Sequence, residues 1–351
     1  MSESITIAGK QIGQGFPTYI IAEVSANHNQ DIEIARKTVI AAAEAGVDAV
    51  KFQTYTPDTL TFDSDTEIFQ INLGTAWDGR TLYSIYSEGY MPWEWHEELF
   101  DLAKSLGVAA FSSPFDPTAV DYLANLDVPA FKIASFEIVD IPLIRYVAKQ
   151  GKPVLISTGI AREEDILAAV SACRDEGNEQ IVVLKCTSAY PAPASELNLL
   201  TIPTITNQFD VIAGYSDHTM TSTAAIAAVA LGARVIERHI TLDRAAGGLD
   251  AGFSTSADEF KDLVVQIRET EKSLGVSTFE LSATGESSLR FSRSLFVVQD
   301  VKAGDLINTL NVRSIRPNNG LPPALLPQIL GRTFAENVSA GTPLSHKMIR
   351  E

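Results

Sequence analysis

Residues 235–241 read VIERHIT. Two β-branched residues open a strand-like run, and then come Glu237, Arg238 and His239, side chains that are costly to bury unless paired or given a task. Upstream, VIAGYSDH (211–218) closes in the same way on His218. Working outward, further β-rich apolar runs are YIIAEVS (19–25), AVKFQTY (49–55), AAFSSPF (109–115), AFKIAS (130–135), PVLISTG (153–159) and IVVLKCTS (181–188). Stretches such as IEIARKTVIAAAEAG and EEDILAAVSACRDEG lie between them. These are apolar at helical spacing and end in glycine. Alternating strand and helix argues a parallel sheet, and eight such units argue a closed (β/α)8 barrel of the α/β class. A doubly wound open sheet would want a G-x-G-x-x-G turn after its first strand, which this chain lacks.

The strand ends share a character. They carry Glu23; Lys51 and Gln53; Ser112 and Ser113; Lys132 and Ser135; Ser157 and Thr158; Lys185 and Thr187; Ser216, Asp217 and His218; and Glu237, Arg238 and His239. One strand-end serine is usually a helix cap, and one buried lysine is usually paired or snorkelling. Eight polar ends together are different, because a barrel gathers the C-terminal ends of all its strands at one mouth, where active sites sit. Lysines and hydroxyls around such a mouth suit a phosphate or carboxylate ligand. The STGIAREED segment adds backbone amides at a helix start. His218 and His239, on neighbouring strands, suit one divalent ion, Mn or Co or Zn or Mg, with open positions left for substrate.

Composition bounds the rest. The net charge of −17 opposes nucleic acid and anionic membranes as partners, and an anionic substrate would need positive charge concentrated locally. The start MSESITIAGKQ does not read as a signal peptide, and AAIAAVALGA (224–233) is too short to span a bilayer. Two cysteines, Cys173 and Cys186, suggest no disulfide framework and fit a reducing cytoplasm. Residues 56–108 form a long, Trp- and Tyr-rich connection that reads as a lid, a subunit contact or part of a site. After a barrel domain over 1–275, the polar stretch 276–290 reads as a linker. The module 291–351 repeats V-x-A-G-x-x-(L/I) at Val301 and Val338. It is small enough to lean on a partner surface.

The segments IAEVSANH, KFQTYTPDTL, FSSPF, FKIASFE, STGI, KCTSAYPAP, GYSDHT and VIERHITLD, with VRSIRPNNGL in the small module, resemble the sialic acid synthase (NeuB-like) family over essentially the whole chain. That resemblance implies a TIM barrel followed by a small C-terminal antifreeze-like (SAF) domain. It also implies condensation of phosphoenolpyruvate with an amino sugar. SANH, QTYTPD and PWEWH resemble the pseudaminic subgroup, whose sugar is a 2,4-diacetamido-2,4,6-trideoxyhexose of the L-altrose type. Legionaminic or N-acetylneuraminic acid synthesis is the alternative within the family, and a non-catalytic carbohydrate-binding protein the alternative outside it.

Position by position, the resemblance implies phosphoenolpyruvate contacts from Lys51, Ser113, Lys132, Ser135, Ser157, Ser188 and Ser216. It implies a divalent ion, Mn with Mg or Co as alternatives, on His218 and His239. Glu23, Gln53, Tyr190 and Asp250 match positions facing the open-chain sugar. Ser188 stands where the family usually has Asn. Arg316 matches an arginine that reaches into the partner subunit's barrel, which implies a domain-swapped homodimer. Glu137, just beyond strand four, is a candidate for proton transfer or water activation, although acids also favour helix starts. With Glu23 and Lys132 it completes the catalytic set.

Overall fold

The computed structural model describes residues 4–72 and 77–350, so residues 73–76 of the long connection lie outside the description. The chain divides into two compact units, 1–275 and 276–351.

The first unit opens with an antiparallel hairpin, β1 (Ser4–Ile7) and β2 (Lys10–Gly13), which the pattern of apolar runs did not reveal. Its Ile5, Ile7 and Ile12 are buried in the core of this unit. Eight parallel strands follow. They are β3 (Tyr19–Glu23), β4 (Ala49–Thr54), β5 (Ala109–Pro114), β6 (Phe131–Ile133), β7 (Val154–Ser157), β8 (Ile181–Lys185), β9 (Ile212–Asp217) and β10 (Val235–Thr241). Each pairs with the next, and β10 pairs with both β9 and β3, which closes the cylinder. The two-residue β11 (Thr255–Ser256) adds to the end of β10. This is the (β/α)8 barrel that the alternating runs predict.

The helices form where spacing and caps agree. Ile32–Ala45 buries Ala35, Val39 and Ala42 on one stripe, starts on the Asp31 side chain, and stops at Gly46 with φ 85°. That left-handed conformation favours glycine. Inside the barrel, Gly214 has no room for a side chain: a Cβ there would lie 2.5 Å from Leu184 Cδ2 and 2.7 Å from the Val235 carbonyl oxygen.

In the second unit, β12 (Ser294–Val297) pairs antiparallel with β13 (Val312–Ile315) over a core that includes Leu295, Val312, Ile329 and Phe334. The sequence repeat acquires a structural meaning here. Val301 and Val338 bridge each other, and Gly304 and Gly341 both turn the chain at φ near 90°. The stretch 276–290 contains one helix, Ala283–Ser288, capped by the Ser282 hydroxyl. No helix among the described residues is long and apolar enough to cross a membrane.

Candidate active site at the barrel mouth

All seven residues of Val235–Thr241 are buried, yet its charged side chains go to two different places, as strand alternation requires. Arg238 faces away from the cavity. It meets Asp217 at 3.1 Å and donates to the backbone carbonyls of Thr219 and Thr221. This pins the loop that follows His218. Glu237 and His239 point inward and line a cavity of about 450 Å³ at the C-terminal ends of the strands.

Strand register assembles the floor of that cavity. Glu23 lies beside Lys51 on one side and His239 on the other, while Glu237 lies beside Ser216. Lys51 Nζ is 2.9 Å from Glu23 Oε2 and 3.3 Å from Glu237 Oε1, and Lys132 Nζ is 3.2 Å from that same Glu237 oxygen. Ser216 Oγ donates to it at 3.2 Å. The lysines are therefore not a bare cationic cluster; two buried carboxylates hold them.

The two ammonium groups differ. Burial works against the charge on Lys51, but Glu23 and Glu237 outweigh it and raise its pKa. For Lys132, burial and the nearby Lys51 prevail over Glu237, and its pKa is lowered. Burial also opposes the Glu23 carboxylate, yet Lys51, His239 and Lys132 hold it well below the usual range.

Beside the lysines is a cradle of hydroxyls. Ser188 Oγ donates to Ser135 Oγ at 2.9 Å, and Ser157 Oγ is buried with no partner. A Cβ at Gly159 would fall 2.0 Å from Ser188 Oγ and 2.4 Å from Ser135 Oγ. Only glycine leaves that space open, and an anionic oxygen suits it. Glu137, in the turn Ser135–Val139, has a buried Oε2 with no partner, and burial pushes its pKa up to about 7.

His218 and His239 stand edge to face with ring centroids 5.4 Å apart. His218 Nδ1 lies 3.0 Å from the Thr187 carbonyl oxygen, a contact that places a proton on Nδ1 and makes Nε2 the nitrogen available to ligate in the neutral ring. Burial opposes charge on this ring, but Cys186 and that carbonyl outweigh it and raise its pKa. Burial first, then His218 and Lys51, hold the pKa of His239 down against Glu23 and Asp250, which favours a neutral, ligating imidazole. His239 Nδ1 is buried without a hydrogen-bond partner. Both rings thus suit a divalent cation. No group of three or more His, Cys, Asp or Glu side chains among the described residues is arranged to hold one. An ion here would keep positions open for water and substrate.

Around the histidines, Gln53 Nε2 donates to Glu23 at 2.9 Å and to Ser25 at 3.0 Å, and Ser25 in turn donates to Asp250. Tyr190 packs on His218 with centroids 4.4 Å apart. Of the residues singled out from sequence, Glu23, Lys51, Gln53, Lys132, Ser135, Glu137, Ser157, Ser188, Tyr190, Ser216, His218, His239 and Asp250 all line this one cavity. Ser113 is buried behind Lys51, whose Nζ lies 3.4 Å from its hydroxyl, and is not among the lining residues. Lys185 donates instead to the Cys186 carbonyl at 2.6 Å. Arg316 is exposed just after β13 in the second unit. Ser25 and Glu237 were missed as site residues. Alternation already put Glu237 on the face of His239, but nothing local signals Ser25. The long connection supplies a wall of the cavity through Leu60, Leu82, Ile85 and Tyr86.

Comparison with known proteins agrees with this geometry. Residues 38–278 match the NeuB family and residues 292–350 the SAF domain. The chain is 42% identical over 332 residues to the pseudaminic acid synthase of Campylobacter jejuni, covering 95% of this chain and 96% of that protein. It is 42% identical over 330 residues to the pseudaminic acid synthase of Helicobacter pylori, covering 94% and 97%. Among solved structures, the N-acetylneuraminic acid synthetase of Leptospira borgpetersenii, in complex with citrate, superposes with a TM-score of 0.74 at 29% identity, over 82% of this chain and 96% of that one. The chain belongs to the NeuB family, with a SAF domain at its C-terminal end.

Proposed function

We propose that the protein condenses phosphoenolpyruvate with an open-chain 2,4-diacetamido-2,4,6-trideoxyhexose of the L-altrose type and water, releasing pseudaminic acid and phosphate. The observation that carries this reading is the meeting of an anion cradle, a histidine pair and a hydroxyl-binding ring in one cavity. The likeness to pseudaminic acid synthases over nearly the whole chain supports the choice of sugar.

In this mechanism Lys132, Ser135, Ser157 and Ser188 hold the phosphate, and Lys51 and Ser216 hold the carboxylate. Both anions then sit by preorganised donors in a water-poor site. Glu23, Gln53, Ser25, Tyr190 and Asp250 orient the sugar so that its aldehyde faces carbon 3 of phosphoenolpyruvate, at attack distance. His218 and His239 would hold the divalent ion, Mn foremost, which as a Lewis acid polarises the aldehyde oxygen. Carbon 3 bonds to the aldehyde carbon and water adds at carbon 2. Glu137 takes one proton of that water and returns it to the alkoxide formed from the aldehyde oxygen. The carbon–oxygen bond to phosphate then breaks, and the remaining hydroxyl proton on carbon 2 leaves with the phosphate as the ketone forms. Phosphate release with this sugar, the legionaminic-type diacetamido isomer and N-acetylmannosamine assayed side by side tests the assignment. Faster turnover of either of the last two would overturn it.

A Glu137 carboxyl titrating at about 7 predicts a rising limb in the pH profile of kcat/KM near neutrality. Glu137→Gln should abolish that limb and lower kcat by about 10²- to 10⁴-fold, the usual range for a lost general base. The stability consequence has the opposite sign. The folded chain keeps a proton that the unfolded chain gives up, so stability is lost as pH rises through 7. The glutamine variant should therefore melt above the parent at pH 8 and show no such margin at pH 5. A parental pH profile in the variant would rule Glu137 out.

The family resemblance further supports a domain-swapped homodimer in which Arg316 completes the partner's mouth. Arg316→Ala should then raise KM for the sugar about tenfold or more, the effect of one lost charge-assisted contact, while sparing that for phosphoenolpyruvate. An unchanged sugar KM would count against the composite site.

A further inference from the structure

The cavity is not uniform. Its floor is the lysine, carboxylate and hydroxyl set, its middle the histidine pair with the ring of Gln53, Ser25 and Asp250. The remaining wall is apolar and comes largely from the connection after β4. Leu82 and Ile85 on the helix Leu82–Gly89 line it together with Tyr55, Phe115 and Leu249. Tyr55 meets Phe115 edge to face at 5.3 Å and Tyr86 at 5.8 Å between ring centroids, so these rings brace one another.

This wall abuts the polar ring directly. A Cβ at Gly89 would lie 3.1 Å from Leu249 Cδ1, 3.1 Å from the Tyr55 hydroxyl and 3.4 Å from Ala26 Cβ. Ala26 follows Ser25, which is bonded to Asp250, itself 3.7 Å from His239 Nδ1. A chain-like ligand with one end at the histidines and its hydroxyls on the ring therefore brings its far end to Leu82 and Leu249. Neither side chain can accept or donate a hydrogen bond. A hydroxyl there would find at most the Tyr55 hydroxyl to replace its water, whereas a methyl group gains by leaving water.

We infer that Leu82 and Leu249 are specificity-determining residues that select a sugar whose far carbon is a methyl group and disfavour the 6-hydroxy counterpart. This rests on the reading of the cavity as a sugar-condensing site and names what that site discriminates.

The test compares kcat/KM for two sugars, the 2,4-diacetamido-2,4,6-trideoxyhexose and the same compound bearing a 6-hydroxyl, with phosphoenolpyruvate saturating. The parent should prefer the 6-deoxy sugar by about 10- to 100-fold, the scale on which an apolar pocket discriminates one small group. Leu82→Asn and Leu249→Asn should each shrink that ratio about tenfold by improving use of the 6-hydroxy sugar, with KM for phosphoenolpyruvate unmoved. Equal use of both sugars by the parent would overturn the inference even if neither variant folds, and so would an unchanged ratio in two folded variants. Phosphate release from neither sugar, but from a different aldose, would instead overturn the proposed substrate and the inference with it.

Discussion

Lys132→Ala should lower kcat/KM for phosphoenolpyruvate by about 10²- to 10⁴-fold, with most of the loss in KM. Lys132 is 2% exposed and shares one Glu237 oxygen with Lys51 and Ser216. Removing one partner of a buried ion pair costs about 3–5 kcal/mol, because the other charge is left uncompensated. Here the loss falls where an anion should bind: the site gives up a cation and exposes Glu237 to the incoming phosphate. Burial already lowers the pKa of Lys132, so an arriving anion strengthens the charged form and the interaction is made in the complex. An unchanged apparent affinity for phosphoenolpyruvate in a folded Lys132→Ala protein would remove the lysine floor from the account.

The second large effect concerns the histidines. His239→Ala and His218→Ala should each abolish tight Mn binding measured by equilibrium dialysis. Each should also reduce turnover by about three orders of magnitude or more, the scale of losing electrophilic stabilisation of a developing alkoxide. Chelation of the parent protein should stop phosphate release, and Mn should restore it in the parent but not in the variants. Turnover at the full rate by metal-stripped protein would contradict the role given to the pair. The dialysis result stands apart from activity, since a ring that serves only as packing beside Tyr190 and Phe253 would leave Mn affinity unchanged.

The barrel was readable from the chain because each unit repeats one local rule, a short apolar run ending in polar residues followed by an amphipathic helix. Ile32–Ala45 and Glu163–Asp175 follow from spacing and caps alone. Alternation also told which side chains share a face, hence the company of Glu237 and His239. Partners were harder to see. That Glu23 neutralises Lys51 follows from the register of β3 on β4, a property of long-range pairing. Ser25 bonds Asp250 across 225 positions of sequence. The helices of the long connection that line the cavity, Pro57–Leu60 and Leu82–Gly89, are too short for periodicity to declare them, so their wall of the cavity emerged only from the coordinates. The hairpin at the start was hidden for the same reason.

The central claim is that far-apart strand ends bring the anion floor and the histidine pair into one mouth. Nuclear relaxation of the phosphorus of phosphoenolpyruvate, in the presence of Mn-loaded protein, reports on that proximity directly. A strong enhancement with the parent chain, lost on His218→Ala while phosphoenolpyruvate still binds, is the result expected. Bound phosphoenolpyruvate whose phosphorus is indifferent to Mn, or an enhancement that survives removal of the histidines, would contradict it.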